Sequence, residues 1–166
     1  EGLELRVSDG IYRIPLRGVN VRVKDGAGGN VLSSYVSLDG DGKGEIPSLK
    51  PGRYTLVLDS SGYAAQRFEG VIVPGAPFPA ALTPGGTVEV RLGEALRGKG
   101  AATIRNSLGQ PHPFRAFGEE GRVWVPASGI ATIPNLAPGS YTLAVEGAAP
   151  KGFTVTEGGK TVVELP

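Results

Sequence analysis

The residues of this polypeptide point to an all-β chain made of two tandem antiparallel β-sandwiches. Apolar and polar residues alternate in short runs, Gly and Pro punctuate those runs, and one thirteen-residue block occurs twice. Alternation at period two lets a strand bury one face while the other stays wet. The repeated block divides the chain: 166 residues are compatible with one large domain or two small ones, and an internal copy decides for two.

The opening strand is Leu3-Glu4-Leu5-Arg6-Val7, apolar at every second residue, and Val88-Glu89-Val90-Arg91-Leu92 repeats it. The second strand, Val19 to Lys24, sets β-branched Val19, Val21 and Val23 against polar neighbours and ends in the Asp25-Gly26 turn. Ala102, Ile104 and the turn Asn106 to Gly109 stand in the corresponding places. Next, Asp39-Gly40-Asp41-Gly42-Lys43-Gly44 reads as a hairpin turn.

The repeated block follows. Ile46-Pro47-Ser48-Leu49-Lys50-Pro51-Gly52-Arg53-Tyr54-Thr55-Leu56-Val57-Leu58 returns as Ile133-Pro134-Asn135-Leu136-Ala137-Pro138-Gly139-Ser140-Tyr141-Thr142-Leu143-Ala144-Val145, with eight of thirteen positions identical. Alternation turns Tyr54, Leu56 and Leu58 inward, and Tyr141, Leu143 and Val145 likewise. Each Pro-Gly pair predicts a type II turn, with positive φ on Gly52 and Gly139. Pro74 to Pro79 forms an extended path unsuited to a central strand, and Thr83-Pro84-Gly85-Gly86 turns into the second copy. The expected modules are 1–82 and 83–166, joined by a short Pro-rich link that limits swing. Helical spacing is confined to a short turn near Glu94–Leu96.

Composition excludes several classes. Apolar residues make up 40% of the chain, which, with the alternation, argues against disorder despite 27 Gly and 14 Pro. Seventeen basic against sixteen acidic residues leave a formal charge of +1, so no long-range field gathers nucleic acid or an anionic membrane. No apolar run approaches the ~20 residues of a membrane span, and none reads as a signal peptide. A start at Glu1 without Met is expected of a processed mature protein or an excised fragment. Without cysteine there are no disulfides and no thiolate metal sites.

The strand Gly18 to Lys24, the turns Asp25 to Gly28 and Asp39 to Gly44, the run Ile46-Pro47-x-Leu49-x-Pro51-Gly52-x-Tyr54 and the later Gly62-Tyr63 together resemble the carboxypeptidase regulatory-like domain. That domain is a transthyretin-like or prealbumin-like sandwich. The second module keeps the Ile133 to Val145 block, replaces the acidic turn with a longer segment around Arg122 to Gly129, and has a tail, Glu146 to Phe153, similar to Cna-B surface repeats. Both resemblances imply Ig-like sandwiches and a non-catalytic appendage of exported or surface proteins, serving as spacer, folding aid or contact surface. Cna-B repeats also imply a Lys–Asn crosslink beside a buried Glu. Glu146 sits near the matching strand, but Arg91 replaces the Lys and the last strand, Thr161 to Leu165, has no Asn. No crosslink is expected.

Candidate chemistry is sparse. Asp39 to Ile46 has the outline of a calcium loop, but Lys43 and Lys50 stand at the fifth and twelfth positions, where oxygen ligands are needed. A turn is expected there, without metal. His112, the single histidine, lies between two prolines and is expected to be exposed in a loop. There is no Gly-x-Ser-x-Gly elbow to make a triad with it, Glu119-Glu120 carries no spacing information, and one His without Cys supplies too few zinc ligands. No catalytic residue, metal or cofactor is expected. Phe114, Phe117 and Trp124 mark the segment that lengthens the second module. Exposed aromatics there would bind sugar or protein, although alternation in Arg122-Val123-Trp124-Val125 must send one face, Trp124 or Val123 with Val125, into the core.

The functional expectation is a non-catalytic structural or adhesive module pair, extracytoplasmic, acting as spacer and protein-contact surface. Protein partners or self-assembly through edge strands, as in a fibre or stalk, would be its mode of contact. The alternative is a carbohydrate- or peptide-binding accessory module using Phe114, Phe117 and Trp124.

Overall fold

The structure, a computed structural model, describes residues 2–98, 101–113, 115–116 and 119–166. It divides into two compact units, Glu1–Thr83 and Pro84–Pro166. The first contains β1 (Leu3–Asp9), β2 (Gly18–Lys24), β3 (Asn30–Ser37), β4 (Lys43–Ile46), β5 (Gly52–Asp59), β6 (Gln66–Val73) and β7 (Phe78–Leu82). The second contains β8 (Gly86–Leu92), a 3-10 turn at Glu94–Leu96, β9 (Ala101–Asn106), β10 (Arg115–Ala116), β11 (Glu119–Glu120), β12 (Arg122–Trp124), β13 (Ile130–Leu136), β14 (Gly139–Ala144), β15 (Lys151–Val155) and β16 (Lys160–Leu165).

Each unit has one three-stranded and one four-stranded sheet. The orders are β4-β1-β7 and β3-β2-β5-β6 in the first unit, and β13-β8-β16 and β12-β9-β14-β15 in the second. Strand for strand these are one topology, with the β10-β11 ribbon added in the second unit. One pair in each unit is parallel, β1 with β7 and β8 with β16, while the rest are antiparallel. The reason is topological: the last strand comes from the opposite sheet and reaches the free side of the first, a return no tight hairpin could make.

Alternation decides the cores. Leu3, Leu5 and Val7 of β1, Val19, Val21 and Val23 of β2, and Leu56 and Leu58 of β5 are essentially fully buried in the first unit. Val88, Val90, Ile104, Leu136, Leu143 and Val163 fill the second. Each such side chain contributes about 1.5–3 kcal/mol relative to exposure.

Three hairpins are closed by one device. Asp25 Oδ1 accepts from the N–H groups of Ala27 and Gly29 at 3.0 and 2.8 Å, Asp39 Oδ1 from those of Asp41 and Lys43 at 2.9 Å each, and Asn106 Oδ1 from those of Leu108 and Gln110 at 3.0 Å each. The residue three places on is Gly28, Gly42 or Gly109, all at positive φ. This is the three-residue hairpin ending in a left-handed bulge, and only a residue without Cβ takes that last position cheaply.

The Pro-Gly turns differ from the sequence expectation. Positive φ falls on Ser48 and Asn135, at 61° and 60°, while Gly52 already lies in β5 and is not among the positive-φ residues. Gly139 has φ of 149°, far from the value near 80° that a type II turn needs. The chain bends three or four residues earlier than the Pro-Gly pair, and a tyrosine hydroxyl closes the loop. Tyr54 Oη donates to the carbonyl of Lys50, and Tyr141 Oη to that of Ala137.

Candidate contact surfaces

Several polar side chains are occupied in building turns, Asp39 and Asp9 among them. Asp39 spends Oδ1 on two backbone amides, and those bonds, Lys43 first and then Asp41, hold its carboxyl below the usual range. Asp9, nearly buried at the end of β1, accepts from the N–H groups of Ile11 and Tyr12 at 2.7 and 2.9 Å and from Tyr63 Oη at 2.7 Å. The Tyr12 amide, then the Tyr63 hydroxyl, depress its pKa, and the carboxylate in turn raises that of Tyr63.

His112 is not exposed, contrary to the sequence expectation: it is 2% accessible. Its N–H donates to the carbonyl of Ile104 at 2.9 Å, and its ring centroid lies 5.5 Å from that of Tyr141, which stacks on Phe153 at 5.7 Å. The flanking prolines do not lift it into solvent because Pro111 bridges to Arg105 and holds the segment along β9. The residues that would mark a Cna-B crosslink, by contrast, lie outside the core. Arg91 is half-exposed on β8, paired with Glu89 at 2.6 Å and Glu164 at 3.4 Å, and Glu146 is exposed.

Of the aromatic segment, Phe114 and Phe117 lie outside the described residues. Trp124 is placed. On β12, the edge strand beside β9, Val123 and Val125 are 5% and 3% exposed while Trp124, opposite Ala101, stands 56% exposed. The face choice left open by alternation is thus made: the two valines enter the core and the indole faces outward.

Two further surfaces are not expected from the sequence. The loop after β1 displays Ile11, Tyr12 and Ile14, with Arg13 at φ 57°, and the bonds to Asp9 hold it. Among the described residues strand β3 pairs with β2 alone and so forms an edge, and Tyr35 on its outer face is 62% exposed. The Tyr35 ring lies over Gly18, where an added Cβ would overlap its hydroxyl. A glycine opening β2 therefore makes room for an aromatic from β3. The sequence clue, an uncharged run from Val31 to Val36 without period-two alternation, does not identify an edge.

A family model described as the carboxypeptidase regulatory-like domain matches residues 2–92. No curated protein sequence matches the chain. Among solved structures, the minor pilin GBS52 of Streptococcus agalactiae superposes with TM-score 0.43 at 13% identity, covering 98% of this chain and 94% of that one. The Bacillus anthracis TIE protein gives 0.38 at 19% identity, over 99% of this chain and 33% of that one. A streptococcal ancillary pilin gives 0.40 at 20%, over 98% and 61%. This chain spans about a third of the second protein and three fifths of the third. At such scores neither fold nor role is transferred from them.

Proposed function

We propose that this chain, which belongs to the carboxypeptidase regulatory-like domain family, is a non-catalytic pair of sandwich domains in an extracytoplasmic protein, serving as spacer and protein-contact surface. The observation that carries the reading is the use made of its polar groups. Asp9, Asp25, Asp39 and Asn106 are each committed to backbone amides at turns, so the side chains best suited to chemistry act as fasteners. What the surface offers instead are large apolar side chains on edges and loops, Tyr12, Tyr35 and Trp124 among them, the residue types that anchor protein contacts. The repeated topology supports two domains of one kind, with the boundary near residue 83.

Antibodies raised against the folded chain should label intact, unpermeabilised cells that make it. Labelling only after permeabilisation would overturn the extracytoplasmic role, and turnover of an ester, peptide or glycoside library would overturn the non-catalytic one.

One observation favours a second reading, a carbohydrate- or peptide-binding accessory domain: the outward indole of Trp124 on β12. Aromatic faces stack on sugar rings at low entropic cost. Reproducible glycan-array binding that Trp124→Ala abolishes without lowering the melting temperature would establish it in place of the first.

A further inference from the structure

From the edges of the four sheets we infer that β3 is a self-pairing edge, whose occupant is the β3 of a second copy of this chain. The inference rests on the contact-domain reading above and names the surface. Exposed edges invite association, and proteins blunt them with charge, proline, bulges or shortness. Every other outer strand of the four sheets shows such a device: β4, β6, β15 and β16 carry Lys or Arg, β12 is three residues long, and β7 and β13 contain Pro79 and Pro134. Strand β3, Asn30-Val31-Leu32-Ser33-Ser34-Tyr35-Val36-Ser37, has neither charge nor proline over eight residues. Its single bulge sits at its start, where the register to β2 shifts between Val23 and Lys24, and leaves Leu32 to Ser37 regular.

Register shows which backbone groups are on offer. Leu38 N donates to Arg17 O at 2.9 Å, and the pairing continues as Gly18 with Ser37 and Val19 with Val36. Hydrogen-bonded and non-bonded pairs alternate, so Leu32, Ser34 and Val36 turn their N–H and C=O toward β2, while Ser33, Tyr35 and Ser37 turn theirs outward. An antiparallel second β3 must match outward residues with outward residues. Centring the twofold on Ser34 uses the regular stretch: Ser33 pairs with Tyr35 of the second copy, Leu32 with Val36, and Ser34 with itself. No like charges meet in this self-pairing, an advantage the charged edges lack. A strand pair alone falls well below the ~1,200 Å² of a standard interface, so association should be weak and concentration-dependent.

The absence of cysteine makes a single introduced thiol diagnostic. Ser34 and its mate would form a non-hydrogen-bonded pair with Cα atoms about 4.5 Å apart, inside the ~4.4–6.8 Å that a disulfide spans, whereas Ser33 and its own mate would be diagonal at about 7–8 Å. Under mild diamide oxidation, Ser34→Cys should give a disulfide dimer in non-reducing mass analysis. Ser33→Cys and the exposed-turn control Ser61→Cys should stay at the level set by collision. Adding Tyr35→Lys to Ser34→Cys should remove the dimer while the chain still melts cooperatively as a folded protein. Crosslinking of Ser34→Cys no greater than that of Ser61→Cys, or its survival in the Tyr35→Lys variant, would overturn the pairing. Should Ser34→Cys fail to fold, amide exchange of the unaltered chain decides: protection of the Ser33 and Tyr35 amides must rise with concentration, and a flat response overturns the inference. Either negative result concerns β3 alone, since the contact-domain reading fails on cell labelling and turnover.

Discussion

The hydroxyl of Tyr54 donates to the carbonyl of Lys50 at 2.7 Å, across a loop of four residues whose strand it begins to build. The second unit repeats the relationship, Tyr141 to Ala137 at 2.6 Å. Both rings are at least nine-tenths buried, at 8% and 7% exposure, so each part-buried bond ties a loop carbonyl to the core. Tyr54→Phe and Tyr141→Phe remove the bond but keep the ring. Each should lower stability by about 0.5–1.5 kcal/mol, read as a lower urea midpoint with unchanged slope. No change in either variant would show that the hydroxyls only decorate the loop.

Upstream of each tyrosine the backbone is strained at one residue. Ser48 and Asn135 hold φ of 61° and 60°, a region that costs an ordinary L-residue roughly 1–2 kcal/mol, that Asn visits more readily, and that glycine enters freely. Ser48→Gly should therefore be stabilising by up to about 1 kcal/mol after the entropy of the unfolded glycine is deducted, with a smaller gain for Asn135→Gly. Thermal melts of the two variants check the order, and a loss of stability in Ser48→Gly would contradict it.

The same loops separate what a local pattern of residues encodes from what it leaves open. The repeated block predicts Tyr54, Leu56 and Leu58 inward, as observed, because period-two alternation is a local property of a strand. Asp and Asn ahead of Gly mark the hairpins for the same reason: the capping amides lie within four residues. The positive φ at Ser48 is not marked in the sequence, because serine is not a residue that enters this region cheaply and the Pro-Gly pair after it is the stronger local turn signal. The burial of His112 and the outward Trp124 depend on which face of the sheet meets the core, and alternation defines two faces without saying which is inside. The parallel β1–β7 pair joins residues some seventy positions apart, and no local pattern encodes it.

Acid should act on the first unit through Asp9. Its carboxylate accepts from the Tyr12 and Ile11 amides and from Tyr63 Oη, which hold its folded-state pKa below the ordinary value. The ionised form is therefore favoured by folding. Its contribution is fully present above the ordinary pKa of about 4 and is lost as pH falls through the depressed folded value. Urea midpoints of the native chain and Asp9→Asn should differ by a constant amount from neutrality down to about pH 4, then converge below it. A gap that persists unchanged at lower pH would mean the carboxylate charge is irrelevant to the loop. Tyr63→Phe removes one donor, so the gap should be smaller and convergence should be complete at a higher pH, with its onset still near pH 4.

Alkali should act on the second unit through Tyr141, whose pKa burial pushes up to about 12. Folding here favours the protonated phenol, so the sign is opposite to that for Asp9. The contribution is complete below the unfolded value of about 10 and is lost as pH climbs from there through the folded value. A phenolate cannot donate, so ionisation would also break the bond to Ala137. Because Tyr63 is also raised by its bond to Asp9, the titration is made in the Tyr63→Phe background: an ultraviolet phenolate titration of that folded chain should contain a late step that adding Tyr141→Phe removes. The stability difference between the native chain and Tyr141→Phe should shrink above about pH 10. If Tyr141→Phe leaves the late step in place, the ring is open to hydroxide and the packing of Tyr141 against His112 and Phe153 does not seal it from solvent.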